Sequence, residues 1–460
     1  MTLQEYLDTL RHKTVAVIGI GVSNTPLLEL LLGAGVDVTA CDRKDRAALG
    51  GVADALEARG AKLRLGEDYL KGLRQDVIFR TPGLRPDVPE LAAAAAAGSE
   101  ITSEMEVFFQ VCPCPILAVT GSDGKTTTTT MISEFLKRAG RTVHVGGNIG
   151  TPLLAQAGSM SPGDIAVLEL SSFQLMTMAH SPGVAVVTNL APNHLDMHRD
   201  MAEYVSAKEN IFRHQGPGDT AVFNLDNDIT RQQATLAPGK VRFFSRRQPV
   251  EEGVFLRDGM IIDQHEGRER EVLALSDILL PGDHNVENYM AAIAAVEGLV
   301  PDQVIRDTAR TFAGVEHRIE LVRTLRGVRY YNDSIASSPS RTIAGLRAFP
   351  EQVILIAGGY DKHIPFDVLG PEVVAHVKLL VLCGATAGKI RAAVEAAPGY
   401  RPGCPDMVET DSLAAAVAVA AERAVAGDVV TLSPACAAFD QFKNFMERGR
   451  AYKEIVGGLQ

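Results

Sequence analysis

The sequence has no apolar run near the roughly 18 residues that a membrane-spanning helix needs. Its alanine-rich stretches, LAAAAAAG (91–98) and LAAAVAVAA (413–421), predict short helices of a folded domain instead. It has no surplus of positive charge: 45 Lys and Arg stand against 56 Asp and Glu, a formal net charge of −11. That argues against a general nucleic-acid binder, though a local basic pocket remains open. Cysteine is sparse, six in 460 residues and without a framework. Cys112 and Cys114 flank a proline, but no second pair completes a zinc site. Reduced thiols and a cytoplasmic location are expected. The opening residues, MTLQEYLDTLRHKTVAVIG, carry acidic side chains early and lack the basic-then-apolar design of an export signal.

What is present is a normal globular composition, 46% hydrophobic and 22% charged, in a chain long enough for two to four domains. Apolar strand-like runs alternate with helical patterns almost throughout, the rhythm of stacked βα units with parallel sheets. TVAVIGIG (14–21) predicts a strand entering a glycine turn, NTPLLELLLGAG a helix stopped by glycine, and VDVTACDR the next strand. A second block starts near PCPILAVTG, with strands predicted at 164–170, 184–190 and 220–226. Between 241 and 275 the pattern changes to short strands with turns. A third block begins near GVEHRIELV and repeats the βα rhythm through VRYYNDS, VILIAGG, VKLLVLCG and DVVTLSPA. The expected fold class is therefore α/β in three domains, 1–108, 109–315 and 316–460.

The stretch AVTGSDGKTTTTT (118–130) places five threonines, mediocre helix formers, at the start of a helix. A bound phosphate explains them. A phosphate loop needs inward backbone N–H groups and a helix N-terminus behind them. Glycines let the backbone curl close to the oxygens, and a lysine adds a point charge. Gly121, Gly124, Lys125 and Thr126 supply those parts in a G-x-x-G-K-T spacing. The commoner G-x-x-x-x-G-K-[ST] spacing would need glycine at 119, where Val119 stands. The first-turn hydroxyls would hold phosphate or metal, or cap the turn.

A carboxylate belongs nearby to hold a metal, and Glu169 ends a predicted strand, where α/β sheets place functional residues. NHLDMH (193–198) follows another strand and offers His194, Asp196 and His198, either as ligands or as formers of a fold-back loop. Lys208 lies on a helical pattern, where a lone lysine is ordinarily solvated. The first glycine turn, GIGVSN, matches G-x-G-x-x and then puts Asn24 where a dinucleotide fingerprint has glycine. Asp42 sits 21 residues after Gly21, near the place of a ribose-binding acid. A dinucleotide site, another nucleotide site and a plain tight turn all remain open there.

In this order these features resemble the Mur ligase family. The resemblance runs along essentially the whole chain and is most specific in TGSDGKTT, GGNIGTPL, ELSSFQL, NHLDMH, YVSAKENIF, GDHNVENYMAAIAA, EHRIE, NDSIASSP and LSPACAAFDQFKNFMERG. ELSSFQL and the C-terminal stretch are similar to the branch that adds D-glutamate. The resemblance implies a Rossmann-like UDP-binding domain, a central ATPase-like parallel sheet with a phosphate loop, and a C-terminal Rossmann-like domain. It implies an ATP- and Mg²⁺-dependent amide ligase, acting as a monomer without nucleic acid or a membrane span. The substrates implied are UDP-N-acetylmuramoyl-L-alanine, D-glutamate and ATP.

The implied residues follow by position. Gly19, Ile20, Gly21, Val22 and Ser23 would surround the pyrophosphate of the UDP-substrate. Asp42 and Arg43 would lie near uracil, Thr81, Pro82 and Gly83 on the same ligand, and Asn148 on its muramoyl part. Gly121, Ser122, Asp123, Gly124, Lys125, Thr126 and Thr127 would form the ATP loop, with Asn285 and Asn288 beside adenine and His317, Arg318 and Asp333 completing the site. Thr126, Glu169, His194 and a carbamylated Lys208 would surround Mg²⁺, and Lys125, Glu169, His194 and Lys208 would carry the chemistry. His198 and Asp196 are candidates for a base acting on the amine. Where many relatives read N-D-S-K-A-T-N, this chain reads NDSIASSP, so Ile335 replaces a lysine and Ser337 a threonine; Ala438 stands where relatives often have serine. Lys362, Ser337 and backbone amides near Phe445 are then left for D-glutamate. Rival readings are a sibling ligase such as folylpolyglutamate synthase, a nucleotide-sensing protein that keeps the loop without turnover, and an NAD oxidoreductase.

Overall fold

The computed structural model describes residues 1–21, 24–192, 197–280, 282–361 and 364–460. Val22, Ser23, His194, Asp196 and Lys362, all singled out above, lie outside the described residues. Among those described, the strands form three sheets of five, nine and six.

The first sheet contains β1 (Thr14–Ile18), β2 (Asp37–Asp42), β3 (Lys62–Leu65), β4 (Val77–Phe79) and β5 (Glu100–Thr102) in the order β3-β2-β1-β4-β5. Every pairing in it is parallel. Parallel strands are covered on both faces, so they read as continuous apolar runs rather than alternating ones; Val15, Ala16, Val17 and Ile18 of β1 are all buried. The strand order reverses direction between β1 and β4. In such sheets the crevice for a ligand opens there, beyond the carboxyl ends of the strands.

The second sheet contains β6 (Ile116–Thr120), β7 (Val143–Gly147), β8 (Ile165–Glu169), β9 (Val184–Val187), β10 (Thr220–Asn224), β11 (Lys240–Ser245), β12 (Gly253–Arg257), β13 (Met260–His265) and β14 (Arg268–Ala274). Its order is β14-β13-β12-β11-β10-β9-β6-β8-β7. Strands β7 to β12 and β6 pair in parallel, while β12, β13 and β14 form an antiparallel meander. That meander is the change of pattern read at 241–275. β6 lies between β8 and β9, so the carboxyl ends of these three strands are neighbours.

The third sheet contains β15 (Glu320–Leu325), β16 (Val328–Asn332), β17 (Val353–Ala357), β18 (Val377–Cys383), β19 (Asp406–Thr410) and β20 (Val429–Leu432) in the order β15-β16-β20-β17-β18-β19. Only the β15–β16 pairing is antiparallel. The two alanine-rich stretches are helices, Pro89–Ala96 and Leu413–Arg423. No helix among the described residues is long and apolar enough to cross a membrane. The six cysteines are free thiols.

Two compact units emerge from the packing: Met1–Asp277 with Val286–Thr308, and Ile278–Asn285 with Ala309–Gln460. The first unit holds two sheets because they share one core. The helix Glu104–Val111 contains position 108, and its Met105, Val107, Phe108 and Val111 pack in the same cluster as Val15 and Leu27 of the first sheet layer and Ala118 and Leu168 of the second. Burying such a side chain contributes roughly 1.5–3 kcal/mol, so this shared seam is a strong joint.

The second unit is locked by one arginine. Arg448, on the helix Phe445–Gly457, is 4% exposed. Its guanidinium donates to Ser334 Oγ (3.0 Å), Ser334 O (2.9 Å), Cys436 O (3.0 Å) and Ala437 O (3.1 Å). Ser334 Oγ in turn donates to Phe445 O at 2.8 Å. Burial lowers the Arg448 pKa to about 10, still charged at neutral pH. Carbonyls rather than carboxylates satisfy the charge, those of Cys436 and Ala437 in the loop that follows β20 and that of Ser334 just after β16. Arg448→Met should leave the carbonyls of Ser334 and Cys436 unpaired, since Ala437 O keeps the Tyr360 N–H, and destabilise the second unit by about 2 kcal/mol or more. The chain has no tryptophan, so circular dichroism in a urea titration is the suitable check.

Candidate functional site

The glycine loop connects β6 to the helix Lys125–Arg138. Two glycines shape it. Gly121 has φ +150°, and a Cβ there would lie 1.9 Å from Thr188 Oγ1. Gly124 has φ +77°, and a Cβ there would lie 2.3 Å from Asn288 Oδ1. Both close approaches exclude a side chain. The loop is fastened from the neighbouring strand end: Asp123 N–H donates to Asn189 Oδ1 (2.9 Å), and Thr188 Oγ1 donates to Asp123 O (2.5 Å). Ser122 Oγ meets Tyr204 Oη at 2.9 Å. Thr188 and Asn189 were missed in the sequence reading, although their place after β9 is where such sheets put functional groups.

The threonine run is mostly scaffold. Thr129 and Thr130 donate to the carbonyls of Lys125 and Thr126, each at 2.8 Å, and Thr128 Oγ1 donates to Asn288 Oδ1 at 3.2 Å. Back-bonding of this kind satisfies hydroxyls inside a helix. Thr127, Thr128 and Thr129 are buried, while Thr126 is partly exposed. Asn285 and Asn288 are buried on one helix, Asp283–Ala295.

Two lysines converge on the loop. Lys125 Nζ donates to Gly121 O (3.0 Å) and Ser122 O (2.9 Å). Lys208 Nζ, on the helix Met201–Arg213, donates to Gly121 O (2.9 Å) and Thr120 Oγ1 (3.0 Å). Lys208 is 2% exposed. Burial, and then the charge of Lys125, push its pKa well below the ordinary lysine value, against the pull of Glu169 and Asp123. The helical lysine is therefore a buried amine at the loop, contrary to the solvated position that its sequence context suggested.

Glu169, the last residue of β8, is 2% exposed. Its Oε1 accepts from Asn148 Nδ2 at 2.7 Å, while its Oε2 has no hydrogen-bond partner among the described residues. A buried carboxylate oxygen without a partner is costly unless a cation or donor completes it. Asn148, assigned above to the substrate, orients this carboxylate. His198 is enclosed: its Nε2 lies 2.9 Å from Ser172 Oγ, its ring stacks on Phe173 at 5.2 Å and meets Tyr204 edge-on at 5.3 Å. That packing makes His198 part of the scaffold and removes it as a base for an incoming amine.

Beyond β1 and β4, at the reversal point of the first sheet, a cavity of about 310 Å³ is lined by Gly19, Ile20, Gly21, Asn24, Asp42, Lys44 and Thr81. Asp42 Oδ2 accepts from Ile20 N–H at 2.6 Å and its Oδ1 from Lys44 N–H at 2.8 Å, so the acid fastens the glycine turn. Asn24 is buried and donates from Nδ2 to Ile18 O at 2.9 Å. Its amide closes the turn at the place where a dinucleotide fingerprint has its third glycine. Lys44 was not anticipated. Arg43 and Gly83 are exposed, and Thr81 and Pro82 are partly exposed.

In the second unit, His317 is 3% exposed. Its Nδ1 lies 2.9 Å from Asn332 Nδ2, and its backbone N–H donates to Glu320 Oε2 at 2.9 Å. Burial lowers its pKa, and Phe445 meets its ring edge-on at 6.0 Å. Asp333 follows β16, accepts from Ser433 Oγ at 2.7 Å, and is pushed up to about 7 by burial. The charges of Arg318 and then Arg341 oppose that rise. Ser337 is partly exposed beside Ile335, and Ala438 is buried.

The chain matches two family models: the Mur ligase middle domain over residues 119–296 and the Mur ligase glutamate ligase domain over residues 317–436. It is 53% identical to the UDP-N-acetylmuramoylalanine–D-glutamate ligase of Acetivibrio thermocellus, over 100% of this chain and 99% of that one. It is 50% identical to the protein of the same name from Clostridium novyi, again over 100% and 99%. Among solved structures, UDP-N-acetylmuramate-alanine ligase MurC from Thermotoga maritima aligns with a TM-score of 0.57 at 18% identity, covering 97% of this chain and 99% of that one. A pseudomurein peptide ligase type C from Methanothermus fervidus aligns at 0.53 and 19% identity, covering 98% and 100%. At such identities the two structures share the fold.

The close contact at Gly121 yields a direct check. Gly121→Ala should displace the loop and weaken ATP binding by about tenfold or more, a loss of about 1.4 kcal/mol. Adding Thr188→Ser leaves the offending oxygen in place and should not help, whereas Thr188→Ala should recover part of the affinity. Equilibrium titration with ATP measures all three proteins.

Proposed function

The chain belongs to the Mur ligase family, and from that premise we propose that it joins D-glutamate to UDP-N-acetylmuramoyl-L-alanine at the expense of ATP, as a monomer in the cytoplasm. The observation that carries this reading is the gathering of Lys125, Lys208 and the unpartnered Glu169 oxygen at adjoining strand ends, in a chain half-identical over its full length to ligases of that name. Residues 1–108 would hold the UDP-substrate, 109–315 the ATP and 316–460 the amino acid.

The terminal carboxylate of the UDP-substrate attacks the γ-phosphate of ATP, releasing ADP and forming an acyl phosphate. The amine of D-glutamate then attacks the acyl carbon, an amide forms and phosphate leaves. Phosphoryl transfer asks a protein chiefly for positioning and charge neutralisation. The loop amides of Gly121–Thr127 would cradle the phosphates, and Lys125 would exchange its two carbonyl partners for phosphate oxygens. Asn285 and Asn288 would border adenine, and His317, Arg318 and Asp333 are proposed as further ATP-binding residues. The glycine turn at Gly19–Ser23, with Asp42, Arg43 and the Thr81–Gly83 loop, would hold the UDP portion in the 310 Å³ cavity. Lys362, Ser337 and the amides near Phe445 would receive D-glutamate.

The donors present suit Mg²⁺, which takes hard oxygen ligands: an orphaned buried carboxylate oxygen on Glu169 and the Thr126 hydroxyl, with His194 proposed as a further ligand. Bound there, Mg²⁺ supplies positive charge against the phosphate oxygens. Lys208 has the environment for carbamylation. A buried amine beside Lys125 favours its neutral form, which adds CO₂ with loss of one proton to give an anion with two oxygens.

Phosphate release with UDP-N-acetylmuramoyl-L-alanine, ATP and a panel of amino acids tests the reaction. D-glutamate should be preferred; preference for L-glutamate or for another amino acid would assign the chain to a sibling activity. Lys208→Ala should lose nearly all turnover, and added acetate should restore part of it. Carbon-13 bicarbonate should give a carbamate resonance in the wild type that is absent from the variant. Full activity of Lys208→Ala without acid would show that Lys208 is dispensable, and the lack of such a resonance in an active wild type that it acts as a plain amine.

A further inference from the structure

The loop after β4, RTPGLRPD (80–87), is held at both ends by arginines that reach the second sheet layer of the same unit. Arg80 is 2% exposed. It donates to Leu84 O (2.9 Å) and Pro82 O (3.3 Å) within the loop, and to Thr177 Oγ1 (3.0 Å) and Phe173 O (3.3 Å) across the layer. Arg85 forms a fork on Glu203, Nη2 to Oε1 at 2.8 Å and Nη1 to Oε2 at 2.9 Å, and a second on Asp87 at 2.8 and 2.9 Å. Its Nη1 also donates to Met197 O at 2.7 Å. Arg199 closes the ring, pairing with Asp87 and donating its backbone N–H to Glu203 Oε2 at 2.8 Å.

The two ends of this clasp differ in what they can do. Arg80 is buried, and its bonds to backbone carbonyls are part of the core. Arg85 and Glu203 are only partly buried, with side chains 21% and 23% exposed. Exposed ion pairs contribute little to stability. A bidentate guanidinium–carboxylate pair, however, fixes direction as well as distance. The fork therefore adds alignment where Arg80 already supplies cohesion. What it aligns is specific. Thr81 lines the cavity beyond β1, and Glu203 lies five residues before Lys208 on the helix Met201–Arg213.

We propose that Arg85 and Glu203 are positioning residues, a clasp that sets the Thr81–Gly83 loop against the helix carrying Lys208 and so aligns the UDP-substrate's carboxylate with the phosphate to be transferred. The proposal rests on the ligase reading above. Misplacement of a reacting group by about 1 Å costs on the order of 100-fold in rate, far more than the same clasp adds to stability. The hydrogen bonds from Arg85 hold Glu203 down to about 2, so the fork is charged at neutral pH.

The full-length chain carrying Arg85→Ala, Arg85→Lys, Glu203→Gln or Arg85→Ala with Glu203→Gln decides this. The expected result is a melting temperature close to wild type, an ATP KM within about twofold, and kcat/KM for UDP-N-acetylmuramoyl-L-alanine lower by about 10- to 100-fold. The double variant should be no worse than the worse single one, and lysine, which cannot form the fork, should recover only part of the loss. Amide hydrogen exchange over 81–88 should quicken in Arg85→Ala. Unchanged kcat/KM and exchange would overturn the clasp. So would a loss shared equally by the ATP parameters and the melting temperature, which marks general damage. A wild type without turnover would instead overturn the ligase reading, and the exchange measurement would still decide whether Arg85 fixes the loop.

Discussion

A single backbone oxygen organises the centre of the first unit. Gly121 O accepts from Lys125 at 3.0 Å and from Lys208 at 2.9 Å. Two ammonium groups on one carbonyl, one of them on a buried side chain, repel each other in a medium that screens poorly. Burial, and then the charge of Lys125, accordingly push the Lys208 pKa well below the ordinary lysine value. The carbonyl is available to both only because residue 121 adopts a conformation and a proximity to Thr188 that no side chain tolerates. Loop shape, the two lysine donors and the Glu169 oxygen that has no partner among the described residues thus meet at neighbouring strand ends.

The same economy appears in the carboxylates and amides that flank the sites. Asn148 spends its donor on Glu169, Asp42 both its oxygens on the backbone of the first glycine turn, and Ser172 its hydroxyl on His198. Much of ELSSFQL is scaffolding of this kind. Ser171 and Gln174 form a capping box, Phe173 stacks on His198 and gives its carbonyl to Arg80, and Ser172 meets the imidazole. Residues that a motif search treats as contacts to ligand are, in several cases, contacts to the residues that would touch ligand.

Local chemistry was legible in the sequence, and long-range pairing was not. The strand β6, the glycine turn and the helix behind it could be read because phosphate loops need that order of residue types within ten positions. The parallel sheets could be read because strands covered on both faces show as unbroken apolar runs. The antiparallel meander of β12 to β14 showed as a change of period. Three things stayed hidden for physical reasons. The shared core around Phe108 depends on which helix faces meet, and periodicity gives a face without its partner. The Arg85–Glu203 pair spans 118 positions, and no local pattern distinguishes such a pair from two solvated charges. The burial of Lys208 reversed the expectation for a helical lysine because the helix packs against the very strand end whose carbonyl it meets.

The order of the chain through the two compact units has a practical meaning for anyone who would take the protein apart. The second unit is assembled from Ile278–Asn285 and Ala309–Gln460, and the intervening Val286–Thr308 belongs to the first. Leu279 N–H donates to Ala309 O at 3.2 Å, and Leu280 packs near Gly314. A fragment beginning at residue 316 would therefore leave behind fifteen residues of its own fold, 278–285 and 309–315, and a fragment ending at 315 would carry them without the rest of their unit. Dissection, domain exchange with a relative or insertion of a reporter at that boundary would have to follow the weave of the chain and not the linear map of family segments.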